Sequence, residues 1–83
     1  MSDVRLKAIR GATSVSHDAP DQIVAATIEL VQQVLERNGL TGDDLVSMIF
    51  TSTHDLTSEF PAVAARQLGL SSVPLLCSQE IPV

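Results

Sequence analysis

The order strand, helix, strand, helix, strand predicts a small α+β domain with helices packed on a sheet. Three stretches carry that prediction. Residues 4–10 alternate, with Val4, Leu6 and Ala8 on one face and Arg5 and Lys7 on the other, the pattern of a half-buried strand. From Ala19 to Asn38 apolar residues recur at spacings of three and four, which is the stripe of an amphipathic helix. From Val46 to Thr53 the chain is rich in β-branched side chains and reads as a second strand.

The totals limit what such a domain can be. Eighty-three residues hold one domain, read here as residues 1–83. A domain of this size buries a modest share of its surface, so oligomerisation is a common remedy. With two Phe and no Tyr or Trp, the core falls to Val, Ile, Leu, Ala and Met. Five Lys+Arg against ten Asp+Glu, a net charge of −5, give no basic patch for nucleic acid. The same balance disfavours a membrane-surface helix. No stretch reaches transmembrane length, and the N-terminus lacks the apolar segment of a signal peptide. A single cysteine makes no internal disulfide, so a reducing cytoplasm is the simplest compartment.

In the first strand, Arg10 continues the apolar face and puts a guanidinium where the strand emerges from the core. By position alone it is a strand-end arginine that snorkels to water. Gly11 follows and permits a close approach of the backbone. Asp18 is placed to cap the first helix, with Pro20 in its first turn and Asp21 favouring the dipole. The helix buries Ile23, Val24, Ile28, Leu30, Val31, Val34 and Leu35 and stops at Asn38-Gly39. Thr41-Gly42-Asp43-Asp44 resembles a capping box over one short turn. In the second strand Val46, Met48 and Phe50 share a face. Ile49, among polar neighbours on the other, predicts that both faces are partly covered.

The second strand ends in the polar run Thr51-Ser52-Thr53-His54-Asp55, at the end where α/β sites gather. Thr57, Ser58 or Phe60 caps a second helix, which has Pro61 in its first turn, runs through Ala62–Leu68 and stops at Gly69. Phe60 is either a staple against the core or a pocket wall, and the staple is the commoner use. The third strand spans Val73–Cys77, and Ser78-Gln79-Glu80 follows it. A sheet of three strands leaves edges that need cover. A partner subunit or a continuation of the chain beyond Val83 would supply it.

The chemistry on offer is sparse. Cys77 with His54 or His17 could pair a nucleophile with a base, but on an apolar strand a buried, inert thiol is the stronger reading. His17, His54, Asp55 and Cys77 have no metal-ligand spacing, and no Gly-rich loop cradles phosphate. What is left is a cation at the end of strand one and a thiol with a carboxylate after strand three. Arg10 and Glu80 suit a small, anionic, hydroxylated molecule.

Several blocks then match one family in order and spacing: Ile9-Arg10-Gly11-Ala12-Thr13, Leu35-Glu36-Arg37-Asn38-Gly39, Asp43-Asp44, Ile49-Phe50-Thr51, Asp55-Leu56, Phe60-Pro61-Ala62, Ala65-Arg66 and Val73–Glu80. Through them the chain resembles the monofunctional bacterial chorismate mutases of the AroH class. The resemblance implies the isomerisation of chorismate to prephenate on the route to phenylalanine and tyrosine. That reaction is an intramolecular Claisen rearrangement and needs no cofactor, metal or nucleophile. The resemblance also implies a homotrimeric pseudo-α/β barrel, with helices on one face of each sheet and sites between subunits.

Residue by residue, the resemblance makes Arg10 the carboxylate binder and Glu80 the acceptor of the ring hydroxyl. It makes Leu75, Leu76, Cys77, Ser78 and Gln79 the lining of the pocket. Phe60 and Ala62 of a neighbouring subunit would form the opposite wall, and Arg66 would stand near the pocket mouth. Val63 replaces a lysine that some relatives carry. Further strands past Val83, with a second arginine facing the ether oxygen, are expected from the same likeness, so the domain is read as incomplete at its C-terminus. Loss of such a donor costs several kcal/mol of barrier. The alternative function is a non-catalytic small-molecule-binding or regulatory trimer of the same fold. A deaminase with a similar trimeric barrel rests on fold analogy alone.

Overall fold

The computed structural model describes residues 5–83. Helix α1 spans Pro20–Arg37, a 3-10 turn spans Gly42–Asp44, strand β1 spans Met48–Ser52, helix α2 spans Ala62–Gln67 and strand β2 spans Leu75–Gln79. The two strands pair in parallel, with Met48 opposite Leu75 and Ser52 opposite Gln79. A parallel pair needs a crossover connection, and α2 supplies it.

The first predicted strand is the main departure. Its Val4 end lies outside the described residues, and residues 5–10 are exposed and form neither helix nor strand. Among the described residues the sheet therefore has two strands, not three. Alternation tells which face a strand would show. It does not supply the neighbouring ladder that must satisfy the backbone, and 5–10 has water instead.

Helix α1 forms where its pattern predicts, within a residue at each end. Pro20 opens it, and Ala19 is the extended residue before it, with no side-chain cap. Asp18 is thus not the cap that its position suggested; its carboxylate goes elsewhere. The helix closes on Gly39 at φ +62°, with Leu40 N–H donating to Leu35 carbonyl at 2.9 Å and Gly39 N–H to Glu36 carbonyl at 3.2 Å. These are the two bonds of a Schellman ending. Helix α2 ends the same way, on Gly69 at φ +81°, with Leu70 N–H to Ala65 carbonyl at 3.0 Å and Gly69 N–H to Arg66 carbonyl at 3.1 Å.

The core is narrow. Ile23, Val31, Ala64, Ala65 and Val73 are buried, and α2 packs on both α1 and β2. Its two buried alanines let the helix backbones come close. Burying Ile23, Val31 and Val73 contributes roughly 2 kcal/mol apiece. Thr27 lies between Ile23 and Val31 on the same stripe and is buried too, although its type did not mark it for the core. Its hydroxyl donates to the Ile23 carbonyl at 2.6 Å, which removes the cost of burying it. Val24, Ile28, Leu30, Val34 and Leu35 are half-buried.

The helices cover one face of the sheet. Met48, Phe50 and Ser52 of β1 are half-buried and turn toward them, while Ile49 and Thr51 are exposed. Ile49 is 65% exposed and its register partner Leu76 62%. The expectation that both faces are partly covered fails within one chain, because nothing in residues 5–83 lies over the second face.

Candidate active site

Both strands run the same way, so their C-terminal ends open together. Two shallow grooves meet there. The first, of about 370 Å³, is lined by Ser52, by residues 56–61 and by Cys77, Ser78 and Gln79. The second, of about 230 Å³, is lined by residues 11–15, by α1 near Thr27, by residues 50–53 and by Glu80. Ser52, Leu56 and Pro61 belong to both. Glu80 N–H donates to the Ser52 carbonyl at 2.8 Å, which extends the ladder one step and fixes where Glu80 leaves the sheet. This is the strand-end crevice where parallel sheets bind ligands.

The expected site residues divide among these features. Phe60, Cys77, Ser78 and Gln79 share the first groove. Glu80 lies on the second, with Gly11, the residue after Arg10. Arg10 is exposed and lines neither groove. Leu75 and Ala62 are half-buried, and Leu76 points its side chain to the open face of the sheet. Arg66 donates from Nη1 to the Leu70 carbonyl at 2.8 Å, so its guanidinium helps close α2.

Two readings of single residues change. Cys77 is exposed, not the buried, inert thiol that an apolar strand suggests, because a two-stranded ribbon leaves it uncovered. It has no histidine beside it in the groove: His17 Nδ1 is 3.2 Å from Ser16 Oγ, and neither His17 nor His54 lines the groove. Phe60 is 69% exposed and lines the first groove, so its ring is not packed as a staple against the core. Among the described residues, His, Cys, Asp and Glu nowhere gather in threes able to hold a metal ion.

The polar centre that sequence reasoning missed is Asp18. Its Oδ1 accepts the N–H of Thr57 at 3.0 Å, the N–H of Ser58 at 3.1 Å and Ser58 Oγ at 2.8 Å. Its Oδ2 accepts Thr57 Oγ1 at 2.8 Å. These hydroxyls, Ser58 first and Thr57 next, hold its carboxyl below the usual aspartate range. Asp55 is lowered as well, chiefly by the Thr53 hydroxyl. The adjacent hydroxyls Thr57-Ser58 are the available signal, but the same residue types serve as helix caps. Helix α2 instead starts after Pro61 with no side-chain cap.

Comparison with known proteins adds what two grooves cannot. The family described as chorismate mutase type I matches residues 6–83. The chain belongs to that family. Among chorismate mutases, it is 51% identical over 79 residues to chorismate mutase AroH of Thermus thermophilus, covering 94% of this chain and 65% of that protein. It is 39% identical to chorismate mutase AroH of Bacillus subtilis (strain 168), covering 94% of this chain and 62% of that one. A solved chorismate mutase from Clostridium thermocellum superimposes with a TM-score of 0.84 at 49% identity, over 86% of this chain and 63% of that chain. The chain thus spans just under two thirds of the length of these chorismate mutases.

Proposed function

We propose that the protein is a chorismate mutase, which isomerises chorismate to prephenate in aromatic amino acid biosynthesis. The observation that carries this reading is the 51% identity to a named chorismate mutase across 94% of the chain. The chemistry of the site is in keeping with it. A Claisen rearrangement breaks a C–O bond and forms a C–C bond within one molecule, with no proton moved and no covalent enzyme intermediate. The protein has to hold a flexible dianion in its reactive shape and stabilise charge on the ether oxygen.

In this reading Arg10 binds a substrate carboxylate and Glu80 accepts a hydrogen bond from the ring hydroxyl. Leu75–Gln79 line the pocket, Cys77 among them. Phe60 and Ala62 close it from the neighbouring subunit, and Arg66 stands near the rim. The assembly is a homotrimer with sites between subunits, working in the cytoplasm without metal or cofactor. The open face at Ile49 and Leu76 supports assembly: an apolar patch of this kind is a usual mark of a partner. Among the described residues no helix is long and apolar enough to cross a membrane.

The test is loss of chorismate absorbance with the purified natural gene product, alongside its mass by light scattering. Turnover by a trimer is expected. Arg10→Ala should lower kcat/KM by about a hundredfold or more, the usual scale for a lost charged contact in the transition state, with a melting temperature close to that of the parent. A folded trimer that leaves chorismate untouched would place the protein with the non-catalytic binders.

A further inference from the structure

The Phe60 ring stands largely in solvent on the first groove, with few neighbours to hold it. Its backbone is held instead. Phe60 N–H donates to Glu59 Oε1 at 2.9 Å, and its carbonyl accepts Val63 N–H at 3.1 Å. Upstream, both Thr57 and Ser58 are bound through backbone and hydroxyl to the one carboxylate of Asp18. Asp18 is itself well fixed. It lies two residues before Pro20, which opens the 18-residue helix α1. On its other side, Gln22 Oε1 accepts His17 N–H at 3.2 Å and Ser16 Oγ at 3.1 Å, tying the approach to the helix back onto its first turn.

We propose that Asp18 is a positioning residue: it transfers the rigidity of α1 to residues 57–60 and so sets where Phe60 stands as a wall of the groove. The four bonds span 39 and 40 residues of sequence, so they join elements that share no local turn. A site built on a loop keeps its geometry only when its support is fixed in this way. Asp18 itself lines neither groove. Its effect on turnover rests on the chorismate mutase reading; its effect on Phe60 does not.

The two phenylalanines of this sequence each give a fluorine resonance in the natural protein labelled with fluorophenylalanine, assigned with Phe50→Leu and Phe60→Leu. One belongs to half-buried Phe50 and the other to Phe60. Asp18→Ala should shift or broaden the Phe60 line alone and speed amide exchange at Thr57 and Ser58 by about tenfold or more. On the proposed function the Phe60 ring walls the pocket of the neighbouring subunit, and a wall contact made equally in ground and transition states predicts that KM for chorismate rises about fivefold while kcat stays within about twofold. Asp18→Asn keeps one oxygen for the two N–H donors and should restore the Phe60 line and most of the KM. An unchanged Phe60 line in Asp18→Ala overturns the proposal, and so does a shift of both lines together, which marks a role in the fold at large. Should Asp18→Ala fail to fold, the double variant Thr57→Val, Ser58→Ala decides by the same two lines. If the natural protein lacks turnover, the functional reading falls, while the fluorine and exchange measurements still decide the role of Asp18.

Discussion

At the scale of single residues, two aspartates bonded to residues that line the grooves predict sensitivity to acid. Asp18 is held below its ordinary range by the hydroxyls of Ser58 and Thr57. Asp55 is lowered by the Thr53 hydroxyl, by its own backbone N–H and by His54 nearby, with the negative charge of Asp18 opposing. For a carboxylate depressed in the folded state, the unfolded chain binds more protons, so stability rises with pH through that window. Their contribution is complete above about pH 4, the ordinary aspartate value, and is lost as pH falls through the lowered folded values. Urea midpoints measured from about pH 6 down to about pH 2 should fall toward acid. Asp18→Asn should flatten part of that slope; a slope identical to the parent would mean that Asp18 does not contribute. The sequence marks Asp18 as polar and well placed beside a helix, but a cap and a long-range clamp use the same residue type. Only the position of Thr57 and Ser58 separates them.

At the scale of elements, the C-terminal helix ends are the most legible features, since they depend on backbone chemistry within a few residues. Gly39 and Gly69 both lie at positive φ, and a Cβ added at either would meet nothing within 4 Å. Substitution there therefore reports the backbone penalty with no packing change. Gly39→Ala and Gly69→Ala should each cost about 1 kcal/mol, with additive losses in the double variant, read from chemical denaturation. Gly11 is a different case. A Cβ there would stand 2.9 Å from both Leu30 Cδ1 and Val34 Cγ2, so this glycine serves close approach over α1. Strand β1 was legible from its β-branched run. The strand after α2 begins at Leu75, two residues after the expected Val73, because Pro74 has no N–H for the ladder, although its carbonyl accepts Met48 N–H at 2.9 Å.

At the scale of the whole molecule, the chain has more surface than a compact monomer of its mass. It exposes 6394 Å² at 8.8 kDa, against roughly 4,800 Å² expected from the usual scaling. Among the described residues no large side chain is completely buried. One face of the sheet carries Ile49 and Leu76 open to water, and residues 5–10 lie along no strand. The homotrimer proposed above would account for both, by covering the face and offering a ladder. Ile49→Arg should therefore abolish the trimer in light scattering while leaving helix content by circular dichroism nearly unchanged. A trimer that survives Ile49→Arg would move the subunit interface off this face.

The sequence by itself determined the two helices, their glycine endings, the two strand segments after them and the family. Each of these rests on local spacing, on turn chemistry or on motifs carried in order along the chain. Only the tertiary structure decided that residues 5–10 stay outside the sheet, that Cys77 and Phe60 face solvent, and that Asp18 binds Thr57 and Ser58. Exposure and long-range pairing depend on which elements have neighbours. A period of two or a single carboxylate carries no information about what lies 40 residues away.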